Sequence, residues 1–111
     1  MDEAEYTGVS DIDVMLKYRE TKDPFAIEVM NNRYKYLMRT IVRQWHSRNS
    51  TRIYMNASDF EETSQYAYLG LINMMNKVRD IRAIKNVGTR LKSYIYSVLT
   101  PSFKHRKHED S

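Results

Sequence analysis

The chain has 111 residues, with 18 Lys or Arg against 14 Asp or Glu and no cysteine. That suits one compact domain and excludes a disulfide scaffold, a thiolate metal site and a cysteine nucleophile. No apolar run approaches the ~20 residues of a membrane-spanning helix, and the start MDEAEYTGVSD lacks signal-peptide order, so a soluble, cytoplasmic protein is expected.

Three Gly, two Pro and seven Met among good helix formers predict an all-α fold, a compact bundle of three to four helices. The first is short: Ser10 with Asp13 three residues on forms a capping pattern, Val14, Met15 and Tyr18 follow, and the helix ends near Lys22. Asp23-Pro24 starts the second, since Asp caps free N–H groups and Pro suits the first helical position. Ile27, Met30, Tyr34, Leu37, Met38, Ile41 and Trp45 then mark one apolar face through about six turns. Residues 46–57, HSRNSTRIYMNA, have no period and predict that this helix stops there, with a loop tip at Asn49-Ser50-Thr51.

Ser58 and Glu61 form a capping box for a third helix with Phe60, Ala67, Leu71, Met74, Met75 and Val78, running to about Arg79. Residues 80–88, DIRAIKNVG, read as a charged connection with Asn86 and Gly88 as breakers. A fourth helix carries Leu91, Tyr94, Ile95, Val98 and Leu99, and Pro101 is expected to end or kink it. The polar tail FKHRKHEDS is expected to fray.

Charge is unevenly placed. Residues 1–30 hold three basic and eight acidic side chains, net −5, and residues 31–111 hold fifteen and six, net +9. A basic body suits a polyanion partner, and the five acidic groups of residues 1–13 are candidates to mask it. Catalysis is poorly served: there is no nucleophile elbow, phosphate loop or HExxH spacing, and His46, His105 and His108 make no closed ligand set. A non-enzyme without metal or cofactor is expected. Glu61 and Glu62 read as first-turn carboxylates favoured by the helix dipole. Aromatics interleave with cations at Tyr34, Lys35 and Tyr36 and again at Arg90, Lys92, Tyr94 and Tyr96, a pattern suited to single strands when the rings are exposed and to a core when they are not.

The order of these signals resembles the second region of bacterial RNA polymerase sigma factors, the helical domain that binds core polymerase and opens the promoter. Residues 62–78, ETSQYAYLGLINMMNKV, are similar to the family's polymerase-docking segment, and residues 87–100, VGTRLKSYIYSVLT, to its strand-opening stretch. Asp23-Pro24-Phe25-Ala26, leading into Tyr34 and Leu37, resembles the helix that opens the domain in smaller sigma factors. The resemblance covers about residues 12–105, leaving an acidic segment at 1–11 and a polar tail at 106–111.

It implies that Glu62 and Gln65, with Glu61 assisting, contact the clamp-helices coiled coil of the largest core subunit. Tyr94 falls at an aromatic position that stacks on the opened −10 element, with Ser97 and Thr100 near positions that read it. Arg90, Lys92, Lys104, Arg106 and Lys107 would neutralise phosphates, making binding fall with added salt. The chain departs from the family at Tyr66, where Glu is usual, at Arg90 and Ser93, where aromatics stand, and at Tyr96, where Arg is common. With nothing after residue 111 to read the upstream promoter element, the expectation is a reduced, phage- or mobile-element-like sigma factor working with a second small protein. The alternatives are a polymerase-binding adaptor, regulator or half of a split sigma factor, and a small basic helical DNA-binding protein.

Overall fold

The computed structural model describes residues 3–49 and 57–103 of the chain. Four helices make up the fold: α1 (Asp11–Thr21), α2 (Pro24–Asn49), α3 (Ala57–Lys77) and α4 (Val87–Phe103). Single 3-10 turns at Glu3–Tyr6 and Ile81–Ala83 precede α1 and α4, and no strand occurs among the described residues.

Local chemistry accounts for most boundaries. Ser10 caps α1 by accepting from the Asp13 N–H at 3.2 Å, satisfying one of the first-turn donors that have no partner within the helix. The helix closes at Lys22, a left-handed residue with φ of 57° whose N–H donates to the Tyr18 carbonyl at 2.7 Å. Asp23 caps α2 through the Phe25 N–H at 3.1 Å. Asn86 does the same for α4, its side-chain oxygen accepting from the Thr89 N–H at 3.0 Å. Asn86 is therefore a cap rather than a breaker, and Gly88 lies inside the first turn, where a Cβ would stand 3.0 Å from the Leu37 side chain.

Three further boundaries differ from the sequence reading. The second helix continues to Asn49, held at its end by His46, which packs on Trp45 and bonds Thr63. The third begins at Ala57, so Ser58 lies within its first turn and not at a capping position. Pro101 does not end α4: the helix runs to Phe103. The proline cannot donate to the Ser97 carbonyl four residues back and its ring crowds that carbonyl, yet the described helix carries it through Phe103.

The core joins Met30, Met38, Ile41 and Trp45 of α2 to Leu71, Met74, Met75 and Val78 of α3 and Leu91, Ile95 and Leu99 of α4, with Val14 and Met15 of α1 at one end. On α2 the buried stripe is broader than the spacing suggested, since Ala26, Val29 and Val42 are buried whereas Leu37 stays 37% exposed. The core also reaches back to Tyr6, which is 1% exposed, so the acidic start packs on the domain. Antiparallel α3 and α4 make the most extensive contact. It is close because Gly70 has no side chain: a Cβ there would meet the Ile95 Cα at 2.7 Å.

Two polar anchors tie α1 to this body. Arg19 donates to the Met75 carbonyl at 2.6 Å and to the Val78 carbonyl, capping the exposed end of α3 with a cation at the negative pole of its dipole. Asn76 accepts from the Tyr18 hydroxyl at 3.1 Å and the Lys22 ammonium at 3.2 Å, while its own amide donates to the Ile72 carbonyl.

Candidate functional site

The residues singled out on α3 divide between two directions. Glu61 and Gln65 are exposed and one turn apart, and Leu69, 43% exposed, continues the row. This outer ridge spans about 12 Å. Glu62 turns aside: it is half-buried and accepts from the Tyr66 hydroxyl at 3.0 Å. That bond to the carboxylate, then burial, pushes the Tyr66 hydroxyl pKa up, while Ser102 of α4 acts on it in the opposite direction. The ridge thus presents a carboxylate, an amide and an apolar end, with a second carboxylate at its flank held by Tyr66 of the same helix. Leu69 lies off the apolar stripe of Ala67, Leu71, Met74 and Met75, so helical spacing is the signal in the sequence that points to its exposure.

On α4, Arg90, Ser93, Ser97 and Thr100 are exposed at steps of three and four, which puts them on one outer face. Tyr94 lies at the edge of this face, half-buried against the core. Ser97 donates its hydroxyl proton to the Tyr94 carbonyl at 2.6 Å, leaving its oxygen lone pairs as acceptors for an incoming donor. Lys92 is not part of the group. It is half-buried on the opposite flank of the helix, its ammonium 5.6 Å from the centroid of the Tyr96 ring, and the Tyr96 hydroxyl is buried without a hydrogen-bond partner. The structure therefore brings Arg90, Ser97, Thr100 and the edge of Tyr94 together and separates Lys92 from them. Lys104, Arg106 and Lys107 lie outside the described residues.

The interleaved pair on α2 also divides. Tyr34 is half-buried and donates its hydroxyl to Asp11, while Tyr36 is 68% exposed, with the Lys35 ammonium 5.3 Å and the Arg39 guanidinium 5.7 Å from its ring centroid. Asp11 also pairs with Arg33 at 2.8 Å, and Glu5 with Lys17 at 3.6 Å. These acidic groups thus neutralise α1 and the start of α2 and do not reach toward α4. His46 is half-buried with Nε2 2.8 Å from Thr63 Oγ1, and burial lowers its pKa. Among the described residues no three His, Asp or Glu side chains come together as metal ligands, and no helix is long and apolar enough to cross a membrane.

In comparisons with known proteins the chain matches no family model, no curated protein and no solved structure.

Proposed function

We propose that the chain is a sigma-like transcription initiation subunit, a non-catalytic protein that docks on core RNA polymerase through the α3 ridge and contacts an opened −10 promoter strand through the outer face of α4. The observation that carries the reading is the separation of two polar faces on adjacent helices: the ridge of Glu61, Gln65 and Leu69, and the row of Arg90, Ser93, Ser97 and Thr100. A carboxylate-and-amide ridge with an apolar end suits a helix-on-helix dock, in which a few central residues supply most of the affinity. A row of hydroxyls and one guanidinium beside an aromatic edge suits a single strand, whose phosphates need cations and whose bases need a ring and acceptors.

Docking is tested by size exclusion with bacterial core polymerase. The wild-type chain is expected to comigrate and to be displaced by a full-length sigma factor, and the triple variant Glu61→Lys, Gln65→Ala, Leu69→Ala to run alone with unchanged helicity. Comigration of that variant would remove the α3 ridge from the reading. For the strand, Tyr94→Ala is expected to weaken binding to an unpaired −10-like oligonucleotide by about 1 kcal/mol, at the low end of base stacking because only the ring's edge is open.

A second reading, a polymerase-binding adaptor or split-sigma half without its own promoter recognition, is favoured by one observation: neither tyrosine of α4 is exposed, Tyr94 packing on the core and Tyr96 burying its hydroxyl. It forecasts comigration with polymerase together with equal affinity for promoter and scrambled strands.

A further inference from the structure

From Val29 to Ser58 the sequence contains no Asp or Glu, and its cations are Arg33, Lys35, Arg39, Arg43, Arg48 and Arg52. Arg33 is neutralised by Asp11. Lys35, Arg39 and Arg43 recur every fourth residue, are all exposed, and have no carboxylate partner among the described residues. Their spacing sets the three charges on one face of α2 with successive backbone steps of about 6 Å. Tyr36 stands in the same stripe and is the most exposed large hydrophobic side chain described. An aromatic ring left that open gains nothing from the core. Cations 5.3 and 5.7 Å from its centroid hold it upright within the charged row.

Beside the stripe, a groove of about 300 Å³ runs between α2 and α3, with Lys35, Arg39 and Asn31 along one wall and Ser64 and Tyr68 along the other. Its apolar residues, Met38, Val42 and Ala67, are themselves buried. The apolar surface left open in the groove is therefore small, and an amphipathic peptide helix needs a continuous apolar seam to fill. What this face offers is regularly spaced cations, polar residues along the groove walls and one exposed ring.

We propose that this face of α2, with Tyr36 as the stacking ring and Lys35, Arg39 and Arg43 as phosphate contacts, is a binding surface for single-stranded nucleic acid. It lies on a different helix from the α4 row and does not depend on the polymerase reading. The strand runs along the stripe with one base on Tyr36 and successive phosphates on the three cations. Asn31 lines the groove where a base edge would enter. Glu28, toward which the Tyr68 hydroxyl points, marks the amino-terminal limit of the surface.

The test measures fluorescence anisotropy of a labelled oligothymidylate of about twenty nucleotides against the full chain over a range of salt. Wild type is expected to bind with a negative salt slope. Arg39→Ala with Arg43→Ala should weaken binding at least tenfold and lessen the slope by about 1.4, the share of two single-strand phosphate contacts. Tyr36→Ala should weaken binding about tenfold while leaving the slope unchanged, because a ring releases no counterions. All three positions are exposed, and circular dichroism checks that the variants remain folded. No binding by wild type at low salt would overturn the proposal. So would unchanged affinity of both α2 variants while Arg90→Ala abolishes binding, or equal affinity for poly-glutamate of matched charge with no effect of Tyr36→Ala, which would mark a surface for acidic protein.

Discussion

Tyr6 and Asp23 show how a single contact makes stability depend on pH at both the acid and the alkaline end. The buried Tyr6 hydroxyl donates to Asp23 at 2.6 Å. That bond is the main reason the Asp23 carboxyl is held below its ordinary pKa, with the Phe25 N–H adding to it. A carboxyl with a depressed folded pKa contributes stability above its unfolded value and loses it as pH falls through the folded one. The partner behaves oppositely: burial, then the bond to Asp23, pushes Tyr6 from 10.0 up to about 12. Its contribution is complete below pH 10 and lost as pH rises toward 12. Tyr6→Phe should therefore lower the melting temperature at neutral pH and flatten both the acid and alkaline limbs, measured by thermal unfolding across pH. His46 adds a separate limb. Burial lowers its pKa from 6.5, so the fold favours the neutral ring and loses stability as pH drops below 6.5. His46→Gln should weaken that dependence while leaving the lower carboxylate limb in place.

At the scale of helices, the α3–α4 crossing depends on Gly70. In an open helix Gly→Ala would stabilise by about 1 kcal/mol through propensity. Here the added methyl meets backbone at 2.7 Å, and backbone yields less readily than a side-chain tip. Overpacking of this kind costs about 1–3 kcal/mol, so the clash exceeds the propensity gain. Gly70→Ala is accordingly expected to lower the urea midpoint, and an unchanged or raised midpoint would show that the helices have room to part. Pro101 gives the opposite expectation. Replacing it with Ala restores one helical bond to the Ser97 carbonyl and removes the ring's crowding of that group, and should stabilise by about 1–3 kcal/mol.

Across the whole molecule the charge asymmetry acquires a location. The negative start is drawn into the fold at Asp11 and Asp23, while exposed cations without a carboxylate partner among the described residues stand on α2, at Lys77, Arg79, Arg82 and Lys85 around the α3–α4 connection, and at Arg90 on α4. Deleting residues 1–5 should therefore leave strand affinity at low salt little changed, because the described carboxylates that pair do so with Lys17 and Arg33 and not with those cations. A several-fold gain in affinity on deletion would reinstate the acidic segment as a mask.

How much of this was legible beforehand depended on the range over which each signal acts. Ser10 and Asp23 could be read as caps because a cap is a contact within three residues, and the α3 and α4 core positions because their apolar spacing is regular. Leu37, exposed, and Thr63, fully buried, could not be, since the same periodicity fits either side of a stripe boundary. The candidate site divides in the same way. That Arg90, Ser97 and Thr100 share a face follows from helical spacing, as do the Lys92–Tyr96 and Glu62–Tyr66 pairs, each four residues apart on one helix, whereas the burial of the Tyr96 hydroxyl and the influence of Ser102 on Tyr66 depend on where the neighbouring helix lies.

By itself, then, the sequence determined the all-helical class, the capped starts of α1 and α2, the polarity of charge and which residue types stood ready to meet a polyanion, because each follows from short-range hydrogen bonding or from counting. Tertiary structure alone decided which tyrosines are core and which are free. Tyr34 and Tyr36 are two residues apart on one helix, yet one is drawn to Asp11 and the other left at 68% exposure. A helix turns about 200° over that interval, and only the position of the packed neighbours says which side faces water.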